Sequence, residues 1–433
     1  MELSHYLKVY PCAEKPGRVL LVATRRCAVL EASQVLWDKV LAGGAELSEK
    51  ERDTLLRLGV LVADRDAERE ELRTTFETVN RTSKTFAVLV TLTLECNLAC
   101  PYCFEDPFRG RLVMSVAMAD LLVQRVTERM AAGLDVTMDF YGGEALMALP
   151  MLKRIATELG VFAQEFGVSY AFNIISNGTL LTRPVVEELL SLGLAAVRTT
   201  LDGPQEIHDR QRPFVSGKGS FDTIMANLCE IYELVPIDLG GNYTRANYRR
   251  FPELLDVLIA KGISPRMFKA VGFSPVMPKA DGSVAGDVGS TCACTSEPWV
   301  IEAGLFLREE IMKRGFPVPK LKPGACMIEF QNDLVVGYDG SLYKCPIFMG
   351  QEEMRVGSLA EGVIDYRNSH NLNLWKNDEC LECPYLPLCF GGCRFFRKLE
   401  TGSIDGVDCR RKMLDASLER IIRQDLELRP TLC

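Results

Sequence analysis

From Phe86 onward the chain alternates short apolar runs with stretches whose apolar positions recur every three to four residues. The runs Phe86–Leu94, Val136–Tyr141, Ser169–Ser176, Ala196–Leu201, Ile237–Asn242 and Arg266–Gly272 read as strands. Helical periodicity fills the intervals at Val116–Met130, Leu149–Phe166, Arg183–Leu192, Phe221–Leu234 and Phe251–Lys261. Regular strand–helix alternation predicts a parallel sheet, closed or partly closed as a (β/α)6 TIM-like barrel. In such folds the chemistry sits at the carboxyl ends of the strands.

Two flanking regions break this rhythm. Residues 1–82 carry short strands at Tyr6–Tyr10 and Val19–Ala23, a helical pattern over Ser33–Leu41, and a second helix over Glu49–Leu58. Ser48 caps that second helix and Gly59 ends it, with a closing strand at Val60–Val62. This reads as a small winged-helix-like domain. Glu68–Lys84 is charged and apolar-poor, as a linker or bridging helix would be. After about residue 290 the periodicity weakens until a last amphipathic helix over Arg410–Leu428. The expected division is therefore 1–82, 83–290 and 291–433.

Composition narrows the class. The 433 residues are 47% hydrophobic and 25% charged, which suits several buried cores. A formal net charge of -8 argues against nucleic acid as a partner, because phosphate binding calls for a basic surface. No apolar run approaches the ~20 residues of a membrane span, and Met1–Tyr10 does not read as a signal peptide. The expectation is a cytoplasmic protein without a membrane partner. Sixteen cysteines then stand out. In a reducing compartment, clustered thiols point to metal or catalysis rather than to disulfides.

The first cluster follows the first barrel strand: Cys96-x3-Cys100-x2-Cys103, with Tyr102 before the last cysteine. Thiolates are soft ligands for iron–sulfur clusters or zinc. Three ligands leave one coordination position open, as a catalytic metal requires; a zinc site lacking its fourth ligand is the plain alternative. The segment resembles the signature of the radical S-adenosylmethionine (SAM) superfamily. That resemblance implies a [4Fe-4S] cluster whose open iron binds SAM, and cleavage of SAM to a 5′-deoxyadenosyl radical that abstracts a substrate hydrogen. Further matches fall at later strand ends. Gly142-Gly143-Glu144 resembles the segment that holds the SAM amino group, and glycines do let a backbone approach a ligand closely. Ser176-Asn177 resembles the segment near the ribose. Thr200-Leu-Asp202-Gly-Pro, with Arg212 further on, resembles a stretch shared by sulfatase-maturing and peptide-maturing members, although those usually have serine where Thr200 stands. Arg212 is then the partner of the SAM carboxylate, since a guanidinium fork matches a carboxylate. His208 reads equally well as a structural residue.

The C-terminal third reads Cys326-x18-Cys345, Cys380-x2-Cys383-x5-Cys389-x3-Cys393 and Cys409. A zinc ribbon is the alternative for such CxxC spacing. The whole resembles the SPASM domain, which holds two auxiliary four-iron clusters and brings the total to three [4Fe-4S] clusters. Residue by residue, the resemblance assigns Cys326, Cys345 and Cys393 to the first auxiliary cluster and Cys380, Cys383, Cys389 and Cys409 to the second. No cysteine follows closely after Cys326, so the first cluster has an open iron, or Cys292 or Cys294 completes it. Those two loop thiols are also the only candidates for a catalytic hydrogen donor.

In the first domain, Leu36-Trp37-x3-Leu41 and Leu55-Leu-x-Leu58-Gly59-Val-Leu-Val62 resemble the winged-helix elements with which peptide-modifying enzymes capture a leader peptide. The opening Leu3–Pro11 resembles geopeptide-type maturases. Together these resemblances imply an oxidoreductase that matures a ribosomally made precursor peptide, by thioether cross-linking first of all. A flavodoxin or ferredoxin would supply electrons. An anaerobic sulfatase maturase making formylglycine, and a non-catalytic iron–sulfur electron carrier, are the alternative readings.

Overall fold

The computed structural model describes residues 1–12, 14–105, 110–279 and 297–428. Cys292, Cys294 and Cys433 lie outside the described residues, and the roles considered for the first two lie there with them. The chain forms two compact units. One holds residues 1–82, 320–330 and 371–427; the other is built from the described residues of 83–319 and 331–370.

The first unit opens with β1 (Glu2–Leu3), β2 (Leu7–Pro11), β3 (Arg18–Ala23) and β4 (Ala28–Ser33), then α1 (Gln34–Leu41), α2 (Glu49–Leu58) and β5 (Leu61–Val62). Strands β2, β3 and β4 form an antiparallel sheet in that order, and β1 pairs with β5. Helix α2 begins at a full capping box between Ser48 and Glu51 and ends at Gly59 in the left-handed region, φ 74°. Strand β4 is absent from the sequence reading, because its Ala-Val-Leu-Glu-Ala-Ser pattern alternates weakly. The stretch read as a linker or bridging helix is covered by two short helices, α3 (Arg65–Arg73) and α4 (Thr75–Thr82).

The continuous apolar run of β3 has a physical cause. Val19 and Leu21 face a core with Trp37, Val40 and Leu55. Leu20 and Val22, on the opposite face, pack on Leu388, Leu414 and Leu418 from the end of the chain. Phe76 of α4 likewise meets Phe330, Trp375 and Phe390 edge-on, with centroids 4.9–5.6 Å apart. Residues 1–82 thus share their cores with 320–330 and 371–427, and the C-terminal third contributes to both units.

The second unit is built on β6 (Thr85–Thr93), α5 (Val116–Ala131), β7 (Asp135–Gly142), α6 (Leu149–Phe166), β8 (Tyr170–Ile175), α7 (Arg183–Ser191), β9 (Leu194–Thr200), α8 (Gln205–Gln211), α9 (Phe221–Ile231), β10 (Ile237–Tyr243), α10 (Phe251–Ala260), β11 (Phe268–Pro275) and α11 (Pro298–Lys313). Strands β6 to β11 are parallel neighbours in sequence order, the arrangement that the strand–helix alternation predicts. Strand β7 alternates half-buried and buried positions along its whole length. Beyond β6 the sheet continues through β12 (Asp333–Val336), parallel to β6, then β13 (Ser341–Tyr343), β14 (Arg355–Ser358) and β15 (Gly362–Val363) in an antiparallel meander. Neither α11 nor this meander is in the sequence reading; strands of two to four residues carry no periodicity to detect. Among the described residues no helix is long and apolar enough to cross a membrane.

Phe76 is 4% exposed and belongs to the core shared by the chain's two ends. Phe76→Ala should lower unfolding free energy by about 3–5 kcal/mol, read as a shift of the urea midpoint. An unchanged midpoint would show that α4 is not anchored there.

Candidate active site

Three thiols occupy the loop leaving β6. The loop is fixed from both sides. Ala99 N donates to the Pro213 carbonyl at 2.8 Å and Val215 N to the Asn97 carbonyl at 3.0 Å. Across the neighbouring strand ends, Asn177 Nδ2 donates to Asn97 Oδ1 at 2.8 Å and reaches Cys96 Sγ at 3.8 Å. Thr179 closes this ring, receiving a bond from Asn97 Nδ2 and donating to Asn177 Oδ1. Cys100 is buried, and burial pushes its thiol up to about 11. A buried thiol of that kind ionises when a cation or metal replaces its lost hydration.

At the end of β7 the backbone comes up against the Cys96 loop. A Cβ on Gly142, whose φ is +132°, would lie 2.2 Å from Thr93 O, and one on Gly143 would lie 2.4 Å from Glu95 O. Only glycine fits either position. Glu144 is fully buried. Its carboxylate accepts Ser176 Oγ–H at 2.8 Å, Asn177 N–H at 2.7 Å and Leu146 N–H at 3.1 Å. Burial raises its pKa against these donors. The side chain thus ties β7 to β8, and three of its lone-pair sites serve the protein's own donors.

The motif after β9 assembles around Tyr102. Its hydroxyl donates to Asp202 Oδ2 and accepts from Arg212 Nη1 at 2.9 Å. Asn242, at the end of β10, gives its backbone N–H to Asp202 Oδ1 at 2.7 Å and its amide to the same cluster. Burial raises the Asp202 pKa and the Arg212 guanidinium opposes it. Arg212 Nε is buried without a partner among the described residues. A guanidinium with a spare inward N–H is a ready receptor for a carboxylate. Thr200 ends β9, half-buried.

Arg212 is also held from behind. His208 is fully buried, and burial lowers its pKa to about 3. Its Nδ1 accepts Asp202 N–H at 3.1 Å, its Nε2 meets Ser220 Oγ at 2.9 Å, and Ser220 Oγ–H donates to the Arg212 carbonyl at 2.6 Å. The imidazole is neutral, with Nε2 as the donor. Tyr102, Asp202 and Arg212 form one hydrogen-bonded group, and Glu144, Ser176 and Asn177 another that reaches Cys96. Asn97, Thr179, Asn242 and Ser220 are the members that sequence reading missed. Polar residues at successive strand ends were the available signal.

The C-terminal thiols fall into distinct settings. Cys380, Cys383, Cys389 and Cys409 line one cavity of the first unit, with Arg410 and Arg411 on its wall. Phe390, Gly391 and Gly392 all have positive φ, which turns the chain sharply between Cys389 and Cys393. Cys393 is not on that cavity wall; it starts helix α14 (Arg394–Thr401), which follows the short helices α12 (Asp378–Leu381) and α13 (Leu386–Cys389). Cys326 and Cys393 are close enough to interact electrostatically. Cys345 belongs to the second unit, after β13. Tyr141, half-buried and raised in pKa first by desolvation, also senses Glu105, Cys103 and Cys345. Among the described residues no three His, Cys, Asp or Glu side chains converge on a single metal-ion position.

The His208 geometry predicts a pH dependence. The unfolded imidazole has a pKa near 6.5 and the folded one is depressed, so the unfolded state binds the extra proton. Stability from this group is complete above about pH 6.5 and is lost as pH falls toward 3. Between pH 7 and pH 5 the loss is about 2 kcal/mol. Urea unfolding of the protein and of His208→Gln at both pH values should show a smaller drop in the variant; equal drops would refute the assignment.

Comparison with known proteins places this geometry. The model of the radical SAM superfamily matches residues 90–258. A cysteine-type anaerobic sulfatase-maturating enzyme of Clostridium novyi is 24% identical over 350 residues, spanning 72% of this chain and 89% of that one. The solved structure of anSMEcpe with bound AdoMet superposes with a TM-score of 0.63 at 19% identity, over 78% of this chain and 98% of its own. Streptococcus suis SuiB, solved with its precursor peptide SuiA, gives 0.53 at 14% identity over 94% of this chain and 98% of its own. The match begins within β6 and ends within α10, across the three-thiol loop and the strand ends that hold it, so residues 90–258 form a radical SAM domain and the chain is an enzyme.

Proposed function

We propose that the protein matures a ribosomally made precursor peptide, joining a cysteine of the peptide to one of its carbons through a thioether. The observation that carries this reading is the extra first domain. The SuiB likeness extends over 94% of the chain, whereas the sulfatase-maturase structure covers 78%. A likeness of that extent to a protein solved with a precursor peptide supports a peptide substrate. The β2–β3–β4 sheet offers free edges to which an extended leader can add as a strand.

The site residues fit SAM and a four-iron cluster. Cys96, Cys100 and Cys103 supply three thiolates from one loop. The unpartnered Arg212 Nε suits the SAM carboxylate. Gly142 and Gly143, whose backbone runs against the Thr93 and Glu95 carbonyls, bring the end of β7 up to the three-thiol loop, where SAM would lie beside the cluster. When bound, the cluster and SAM supply one-electron cleavage and hydrogen-atom abstraction. Tyr102, Asp202 and Asn242 hold the guanidinium in place, and Glu144 holds the strand ends together. Cys380, Cys383, Cys389 and Cys409 suit one auxiliary cluster because they line a single cavity. Cys326 and Cys393, close enough to interact electrostatically, suit the other. Thioether formation removes two hydrogens overall, so the product is oxidised and an electron acceptor is needed. A flavodoxin or ferredoxin provides the reducing electron.

A second reading, formylglycine formation on a sulfatase, is favoured by the 24% relative that spans 89% of its own length. The two part on substrate. A precursor peptide with its leader should be modified, with a mass loss of two hydrogens. Removing the leader should slow the reaction greatly. Conversion of a sulfatase-derived cysteine peptide, with no effect of any leader, would establish the second reading instead.

Anaerobic iron and sulfide assays should find about twelve irons per chain, with 5′-deoxyadenosine formed on adding SAM and reductant. Replacing Cys96, Cys100 and Cys103 with alanine should leave about eight irons and end that cleavage. Cleavage that survives the replacement would overturn the mechanism.

A further inference from the structure

Cys326 and Cys393 are each followed closely by a charged residue that has left water entirely. Glu329 ends the 3-10 turn Met327–Glu329, three residues after Cys326, and Arg394 follows Cys393 directly. Glu329 is 2% exposed and Arg394 1%. They form an ion pair, with Arg394 Nη2 at 2.9 Å from Glu329 Oε1 and also bonded to the Asn371 carbonyl at 3.2 Å. The Glu329 carboxylate accepts Asn373 N–H as well. The carboxylate is therefore well provided for. The guanidinium is not: Arg394 Nε and Nη1 are buried with no hydrogen-bond partner among the described residues.

Two unmet donor nitrogens on a buried cation are expensive. They make sense beside an anion. The atoms to hand are sulfurs. Cys326 Sγ already receives the backbone N–H groups of Ile328 and Arg394, and both Arg394 and Cys393 act on it electrostatically. Three hydrogen-bonding or charged contributions thus gather at the Cys326 thiol from residues that are not ligands: the Ile328 and Arg394 N–H groups and the Arg394 charge. An iron–sulfur cluster on thiolates is an anion, and its potential follows net charge and hydrogen bonds to sulfur.

We propose that Arg394 is the countercharge of the first auxiliary cluster: its Nε and Nη1 groups face the cluster's sulfurs, and it raises the cluster's reduction potential while Glu329 holds it in place. Glu329 partly offsets that charge, so the two side chains set the potential in opposite senses. Arg394 is a positioning residue in this scheme and touches no substrate. The inference rests on the assignment of Cys326 and Cys393 to a cluster.

The test is an EPR-monitored redox titration of the full-length, reconstituted protein carrying Cys96→Ala, Cys100→Ala and Cys103→Ala, so that only auxiliary clusters report. The signal lost on adding Cys326→Ala identifies the first auxiliary cluster. In Arg394→Gln combined with Glu329→Gln, which leaves no buried charge unpaired, that signal should persist. Its midpoint should move to more negative potential by at least a tenfold change in the reduction equilibrium, about 59 mV for one electron. Arg394→Lys, which keeps the charge and loses the planar fork, should move it less and in the same direction. Glu329→Gln alone should move it the other way. Iron content near the parent value in each variant shows that the fold is intact. An unmoved midpoint at full iron content would overturn the proposal, as would a shift to more positive potential in the double variant. If Cys326→Ala instead costs no iron and no signal, the cluster assignment itself fails, and the inference with it.

Discussion

A carboxylate shut away from water must find its hydrogen bonds in the protein, and at Glu144 that requirement organises the site. Its oxygens take a hydroxyl and two backbone N–H groups from the ends of β7 and β8. The backbone just before it passes so close to Thr93 and Glu95 that Gly142 and Gly143 admit no Cβ. The ends of β6, β7 and β8 are therefore locked to one another before any cofactor is considered. The three-thiol loop leaves from that locked point, and Asn177 reaches back from β8 to bond it. A loop of three exposed thiols would be mobile and prone to oxidation; this one is braced by a network whose members are not themselves ligands.

Much of this was legible in the sequence because the barrel obeys a simple rule. Helix α6 runs over Leu149–Phe166 as its apolar spacing predicts, bounded by Pro150 and by Gly167 in the left-handed region. The strands β6 to β11 each fall within a few residues of their apolar runs. Tyr102, Asp202 and Arg212 lie far apart in sequence, yet the rule that chemistry gathers at strand ends brings them together. What stayed hidden has physical reasons. Strand β12 is four residues long and adds to β6 by a non-local pairing that no local pattern encodes. Strand β3 shows only that both its faces are buried, not against what. Asn97, Thr179 and Ser220 are small polar residues whose meaning lies wholly in their partners.

The joining of residues 1–82 with the C-terminal segments changes how the first domain is to be understood. On its own it would bury one face of β3 and leave Leu20 and Val22 in water. Those side chains are instead covered by Leu388, Leu414 and Leu418. Tyr6 Oη donates to the Leu381 carbonyl and Thr24 Oγ1 to the Pro384 carbonyl, so backbone groups between the cysteines are satisfied by the chain's first residues. A cysteine-rich segment with few regular elements gains a fixed frame in this way. Removing the first domain to ask about peptide capture would also strip the scaffold from Cys380, Cys383 and Cys389, so substitutions at the sheet edge are the sounder probe.

The two guanidinium groups beside thiols differ in a way that fits different tenants. Arg212 is only partly buried, tethered through a tyrosine hydroxyl and its own carbonyl, and keeps one inward N–H unmet. One unmet donor on a half-buried side chain costs less than two on a fully buried one. Arg394 is enclosed, ion-paired and keeps two donor nitrogens unmet. Desolvation at that depth costs several kcal/mol for an ion, and a visiting ligand could not offset it for the time the site stands empty. A permanent anion can. Burial thus separates the two arginines: the half-buried Arg212 fits the proposed receptor for a ligand that comes and goes, and the enclosed Arg394 the proposed partner of a resident anion.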